Sequence, residues 1–281
     1  MLIRLILLSC FSISALAEPE SICNTAHAFA TGSATGAIGA TVGQYFSANR
    51  TAQQLNYPGP SFKNAYKGLF TSVLGTMPII AVQSAANSAI KNEIQALNQG
   101  KPLNEVQKSA ASVSAGVVSS AIVSPIGNIW VAQQQPNNNN KTMREVCKNL
   151  YCERGFAGFY RGLTPTMIKQ AARASGLLAA YPAVSNQYET MLNNNVLATC
   201  ATGLTVGPTM ALLTHPLDTI ETRLQGDSSK TQFKNTWSAF KQAVKTKTLW
   251  SGWRWQLTGS IANSIAMGAT HQWLSNKNKK N

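Results

Sequence analysis

The segment HPLDTIETRLQ occupies residues 215–225, at the end of a long stretch that carries almost no charge. Its proline, Pro216, removes one backbone hydrogen bond from a helix and kinks the helix axis. A second proline, Pro125, lies 91 positions earlier inside a stretch of similar composition. A kink that recurs after such an interval indicates an internal repeat of about 90 residues.

Three glycines have nearly the same period. Gly68, Gly162 and Gly252 are 94 and 90 positions apart, and they end the tripeptides Tyr-Lys-Gly, Tyr-Arg-Gly and Trp-Ser-Gly. Two independent patterns with one period predict three units. We expect each unit to contain a first helix, a basic loop with a short amphipathic segment, and a second helix that begins at the tripeptide.

Charged residues make up only 12% of the 281 residues, against roughly 25% in soluble globular proteins. Six stretches are nearly free of charge, and most approach or exceed the about 20 residues that a helix needs to cross a bilayer. Because they are rich in Ala, Gly, Ser and Thr, they favour close helix packing and give a weak hydropathy signal. The stretches are residues 21–49, 68–90, 109–140, 174–188, 190–216 and 255–275.

The positions of the cations distinguish spanning helices from the alternative, a soluble protein with buried Ala- and Ser-rich helices. The loops at 50–67, 136–161 and 223–254 hold 15 of the 24 Lys and Arg, whereas the opposite loops hold three. This asymmetry is typical of helical membrane proteins. The sequence therefore predicts an all-α membrane protein with six transmembrane helices, arranged as three two-helix repeats with pseudo-threefold symmetry.

The expected repeats are residues 24–95, 108–190 and 194–275, followed by a basic tail at 276–281. Residues 1–23 are a signal-like or N-terminal extension, since Arg4, an apolar run and Ala-Leu-Ala before Glu18 fit a secretory signal. Cleavage after Ala17 stays open. Five cysteines without metal-ligand spacing predict neither a disulfide framework nor a zinc site, and we expect no cofactor.

Residues 215–225, together with GFAGFYRGLTP at 155–165, resemble the mitochondrial carrier family. The family signature is Pro-x-Asp/Glu-x-x-Lys/Arg-x-Lys/Arg, followed after a loop by acid-Gly and aromatic-basic-Gly. The third repeat fits at Pro216, Asp218, Arg223 and Gln225, but Glu221 stands where the family carries a cation. The resemblance implies that these are gate residues of a monomeric transporter.

The other two repeats depart further from the signature. The second repeat keeps Pro125 but has Gly127 and Trp130 in place of an acid and a base. The expected equivalents in the first repeat are Val42, Gln44 and Ser47. We therefore expect the ring of interhelical ion pairs, which closes the basic-loop side in the family, to be mostly absent.

Two cations on the predicted fourth helix indicate a solute pathway. Lys169 and Arg173 lie one turn apart among Ala, Gly and Leu, and a cation inside a membrane is costly unless it faces water or a partner. Snorkelling of Lys169 toward the basic loops is the alternative. Alignment on Gly162 puts Lys169 and Gln170 at the family's solute contact point. The equivalent positions in the other repeats are Gly75, Thr76, Gly259 and Ser260.

These features predict an exchanger of an anionic metabolite that works by alternating access. Room at Gly75 and Gly259 and a net charge of +14 favour a nucleotide such as ATP or ADP, whereas the Lys169-Gln170 pair resembles the carboxylate carriers of the family. The eroded gates leave a third interpretation, a carrier-derived membrane scaffold that transports nothing.

Two other classes are not expected. None of the three histidines has an acid or a nucleophile at a spacing typical of a catalytic site, so the sequence does not predict an enzyme. Nucleic-acid binding is not expected either, because the cations lie in loops between spans and form no binding motif. Anionic lipid head groups account for the same charge.

The resemblance also has implications for lipids and location. It implies cardiolipin at the helix starts around Gly155, Gly162 and Gly252, where free backbone amides favour a phosphate. It implies the mitochondrial inner membrane as well. The signal-like start and the asparagine-rich loop at 136–140 suggest the further hypothesis of a bacterial effector delivered to host mitochondria, with the bacterial envelope as an alternative.

Overall fold

The computed structural model describes residues 19–99, 101–138, 141–176, 180–227 and 231–278, and every regular element in these ranges is helical. The predicted signal segment at residues 1–17 lies outside them. Two short 3-10 helices, Pro136–Asn138 and Gly155–Tyr160, lie on the basic-loop side. The α-helices are α1 (Pro19–Gln54), α2 (Phe62–Ala65), α3 (Leu69–Leu97), α4 (Glu105–Gln134), α5 (Met143–Arg154), α6 (Leu163–Ser175), α7 (Tyr181–Leu192), α8 (Asn195–Gly226), α9 (Thr236–Lys245) and α10 (Trp253–Asn278).

The long helices form six spans, since α6 and α7 together make up the fourth. Each span packs against the next along the chain, and α10 packs against α1, so that the spans close into a ring. The short helices α2, α5 and α9 lie between the two spans of each repeat. The predicted all-α architecture of three two-helix repeats is confirmed.

Hydropathy by itself identifies only part of this arrangement. Within the described residues, two helices are long and apolar enough to cross a membrane by length and composition, Glu105–Gln134 and Leu197–Gly226. The other spans are diluted by Ala, Gly, Ser and Thr, as the sequence predicts. In the described parts of these spans, small residues such as Gly39 and Gly259 lie against neighbouring helices, which is the usual role of small residues in membrane bundles.

The even-numbered spans begin with the same backbone geometry in all three repeats. Gly68, Gly162 and Gly252 adopt left-handed conformations with φ of 79°, 78° and 81°. A side chain would make this conformation sterically unfavourable, which explains why each tripeptide ends in glycine.

Each of these glycines follows a carbonyl that is bound by the first span of its own repeat. The three bonding side chains differ, but each reaches the residue just before the glycine. They are Gln44, which donates to Lys67 at 3.1 Å, Asn128, which donates to Arg161 at 3.0 Å, and His215, whose Nε2 lies 3.0 Å from the Ser251 oxygen. These bonds fasten the two spans of each repeat together at the basic-loop end.

Two of these side chains make a second bond of the same kind. Gln44 and Asn128 also donate to the carbonyl two residues further back, at 3.0 and 2.9 Å. The bonding residues do not share one position in the motif, because Asn128 follows Pro125 by three residues whereas His215 directly precedes Pro216. The first-repeat equivalents expected from the sequence, Val42, Gln44 and Ser47, therefore stay a prediction.

Glycines also bring spans together at backbone distance. A methyl group added at Gly116 of α4 would lie 2.7 Å from the Cα of Ala171 in α6. Gly203 and Gly207 both face Ser264 of α10, and the Ser264 hydroxyl donates to the Gly203 carbonyl at 2.8 Å. Close approach of the helix backbones gives these spans their packing contacts, since they have few large side chains.

We expect Gly116→Ala to destabilise the protein, because the added methyl group meets the backbone of α6, which cannot move aside like a flexible side chain. Overpacking of this kind typically costs about 1–3 kcal/mol. The melting temperature in detergent, followed with a thiol-reactive fluorophore, should fall by several degrees. Gly43→Ala is the control, since nothing lies within 4 Å of the added methyl group there. Equal melting temperatures for the two variants would contradict this account.

Candidate functional site

A buried carboxylate, Asp218, joins three helices on the basic-loop side of the ring. It lies on α8, two residues after Pro216, and is 2% exposed. Its oxygens are 2.9 Å from the guanidinium of Arg50 on α1 and 3.1 Å from the ammonium of Lys169 on α6. One acid thus binds a cation from each of the other two repeats.

Glu221 lies one turn further along α8 and extends this cluster. Its Oε2 contacts the Lys169 ammonium, and its Oε1 accepts a hydrogen bond from Gln225 at 3.1 Å. Arg173 is 3.7 Å from Asp218, and its side chain is 36% exposed. We name Arg50, Lys169, Arg173, Asp218 and Glu221 the ion cluster.

The ion cluster bears on two expectations. Lys169 and Arg173 have Ala, Gly and Leu as sequence neighbours, and both are paired with acids of α8, which explains how these cations are tolerated at this depth. The ring of interhelical ion pairs was expected to be mostly absent. Among the described residues, one such pair joins odd-numbered spans, Arg50 with Asp218. Sequence reasoning missed Arg50 because it lies outside the eroded first-repeat motif.

The other predicted contact residues do not converge on the ion cluster. Gln170 is buried, and its side-chain oxygen accepts a bond from Gln83 of α3 at 3.4 Å. A methyl group at Gly259 would lie 2.8 Å from Phe46 of α1, and Ser260 faces Gly207 of α8. The expected room for a bulky ligand at Gly259 is therefore wrong, because Phe46 occupies it. Gly75 and Thr76 belong to α3, but their surroundings lie outside what the structure describes.

Further contacts close the ends of the odd-numbered spans. Gln54 of α1 donates to Asp218 at 3.4 Å and to Thr219 at 3.2 Å. Arg223 donates back to the Gln54 carbonyl at 3.1 Å, and Gln135 at the end of α4 donates to the Gly226 carbonyl at 2.6 Å. Pro125 and Pro216 both lie inside helices that lead into this closure. In this conformation the basic-loop ends of the odd-numbered spans are joined by both charged and neutral hydrogen bonds.

Arg161 and Asp227 form a second buried ion pair, at 2.9 Å, just outside the spans. Arg161 also donates to the carbonyls of Leu224 and Phe233 at 2.7 and 2.6 Å. Burial raises the pKa of Asp227, but hydrogen bonds from Phe233 and from the neighbouring loop outweigh it and hold that pKa below its ordinary value. The pair fastens the start of the fourth span to the end of the fifth.

Comparison with known proteins gives consistent matches. Residues 101–191 and 193–280 match the family described as mitochondrial carrier protein. An uncharacterised mitochondrial carrier of Schizosaccharomyces pombe is 27% identical over 199 residues, which cover 66% of this chain and 68% of the relative. The human mitochondrial tricarboxylate transport protein is 28% identical over 66% of this chain and 61% of its own length. The mitochondrial carnitine carrier of Saccharomyces cerevisiae is 25% identical over 65% and 58%. The match thus spans about three fifths of the last two relatives.

The ion cluster predicts a double-mutant effect. Lys169→Met leaves Glu221 buried without its cation, a change that typically costs about 3–5 kcal/mol. Adding Glu221→Gln removes the unpaired charge, so we expect the double variant to melt at a higher temperature than Lys169→Met alone. The measurement is thermal unfolding of all four proteins of the cycle in detergent. Additive effects of the two substitutions would show that these groups do not interact.

Proposed function

The chain belongs to the mitochondrial carrier family, and on that premise we propose that it carries an anionic metabolite across the membrane by alternating access. Members of this family are transporters rather than enzymes, and they are integral proteins of the mitochondrial inner membrane. The relatives named above come from yeasts and human, and they give no support to a bacterial effector or to a bacterial envelope location.

The observation that carries the proposal is the composition of the ion cluster. Three cations face two carboxylates, so the cluster retains a surplus positive charge inside the ring. Arg173 is the most exposed cation of the cluster, and at 3.7 Å it lies farther from Asp218 than Arg50 and Lys169 do. A positive surplus at membrane depth, with one cation loosely held, is what an anion pathway requires.

The solute class that we favour is a small carboxylate. Lys169 and Arg173 already bind carboxylate side chains, so a carboxylate solute can replace Asp218 and Glu221 with similar geometry. The relative named as a tricarboxylate transport protein agrees with this choice. Phe46 fills the space at Gly259, which removes part of the argument for a larger ligand.

A nucleotide such as ATP or ADP is the second candidate. The net charge of +14 enriches polyanions near the protein, and Arg173 is able to bind a phosphate through two parallel hydrogen bonds. Exchange of nucleotides stays a prediction from the sequence.

Alternating access gives the closed end of the ring a role. To open it, the contacts of Asp218 with Arg50 and Gln54, and those of Arg223 with Gln54, have to break. A solute that binds Lys169 and Arg173 weakens their hold on Asp218 and so lowers the cost of opening. A scaffold that transports nothing would gain no such advantage from solute binding.

The test is uptake into liposomes that contain the purified full chain. We expect labelled malate, citrate or ATP to enter, and Arg173→Ala to reduce the initial rate by at least about tenfold, the equivalent of about 1.4 kcal/mol. Arg173→Ala is preferred to a Lys169 variant because Asp218 keeps Arg50 and Lys169. Arg144→Ala, which removes an exposed cation, is the matched control. Failure of all three solutes to enter would reject transport in favour of the scaffold.

The predicted lipid sites are a separate part of the proposal. A pocket of about 560 Å³ adjoins Gly162 at the start of α6 and is lined by Arg154 and Lys234. Gly162 caps α6 without a side-chain hydrogen bond, which leaves backbone amides for a phosphate. We propose that cardiolipin binds there, and that Gly155 and Gly252 contribute similar backbone positions.

Cardiolipin is expected to raise the melting temperature of the detergent-solubilised protein by several degrees. The double variant Arg154→Ala and Lys234→Ala should lose most of this increase, because its pocket lacks both cations. Arg144→Ala with Lys148→Ala, an equal loss of charge on α5, is the control. An increase of the same size in both double variants would assign the effect to net charge instead of to this pocket.

A further inference from the structure

Glu221 is an acid at a position where related carriers have a cation, and its surroundings give it a single ionic partner. It is 4% exposed, and within the described ranges Lys169 is the one cation that contacts it. Its remaining contact is the neutral amide of Gln225. Asp218, in contrast, pairs with Arg50, Lys169 and Arg173 and accepts a bond from Gln54.

This difference between the two acids has a consequence during transport. A solute that takes up the charge of Lys169 leaves Asp218 with Arg50 at 2.9 Å. Glu221 is left with Gln225 alone. An ionised carboxylate that is buried and unpaired is costly, and protonation is the usual way in which proteins avoid that cost.

The other charged groups around α8 are engaged elsewhere. On α8 itself, Arg223 bonds to the Gln54 carbonyl and to Thr248, and His215 bonds to Ser251. The helix α4 faces α8 through the neutral residues Gly127 and Gln135. The described charged side chains of α7, α9 and α10 include Glu189 beside Ser185, Lys241 over Trp237 and Arg254 over Trp253.

We propose that Glu221 couples solute transport to the movement of one proton in the same direction, an inference that rests on the proposed function. When the anion binds Lys169, a proton from water on the side of solute arrival forms an O–H bond with the Glu221 carboxylate. When the anion leaves on the opposite side, Lys169 returns to Glu221, the O–H bond breaks and the proton passes to water. Each cycle therefore moves one anion and one proton, with no other reactant.

The experiment uses liposomes that hold the full chain and an entrapped pH-sensitive dye, with the membrane potential clamped at zero. The probes are labelled malate, which is fully ionised between pH 7 and 8, and labelled citrate and ATP. For wild type we expect the dye to report about one proton per anion. Accumulation should rise tenfold for an inside-alkaline gradient of one pH unit, since one unit corresponds to 1.36 kcal/mol.

Glu221→Gln is expected to admit the anion without the proton, so that accumulation no longer follows the pH gradient. Glu105→Gln, which removes an exposed carboxylate paired with Lys108, should behave as wild type. Proton-free uptake by wild type, or an unchanged pH response in Glu221→Gln, overturns the coupling while transport stands. Absence of uptake for every probe overturns both. If Glu221→Gln does not fold, the proton count of wild type decides with malate alone.

Discussion

The carboxylate of Asp218 is the point on which the basic-loop end of the ring depends. It binds Arg50 from the first repeat and Lys169 from the second, while it belongs to the third. A buried charge is tolerated here because it is paired: loss of Asp218 would leave Arg50 without an acid, and loss of Lys169 would leave Glu221 without a cation. The contact between the first and third repeats, the tolerance of these cations and the charges that a solute meets all depend on this group.

The repeat of about 90 residues could be predicted from the sequence because the residues that indicate it act locally. A proline that kinks a helix and a glycine that must adopt a positive φ are properties of single residues, and they repeat whatever packs around them. Ion partners are not local. Lys169 and Asp218 are 49 positions apart, and Arg50 and Asp218 are farther apart still, so no spacing rule connects them. The acidic partners of Lys169 could not be found from the sequence for this reason.

Small residues produced the second kind of error. Gly259 was expected to leave space for a ligand, but a glycine can instead allow a neighbouring helix to approach, and here Phe46 of α1 takes the space. Gly116 shows the same principle against the backbone of α6. From the sequence alone, absence of a side chain does not say whether the space goes to a helix or to a ligand. Only the packing distinguishes them.

The bonds from Gln44, Asn128 and His215 to the carbonyls before the three glycines constrain how the molecule can change shape. Each bond holds the basic-loop half of one span to the beginning of the next, so we expect the two spans of a repeat to move together there. Motion is then expected at the three boundaries between repeats. Arg50, Lys169 and Arg161 bridge such boundaries, and Gln54 and Gln135 bridge them with neutral amides. Opening of the ring then requires these contacts between repeats to break, while the bonds within each repeat can stay in place.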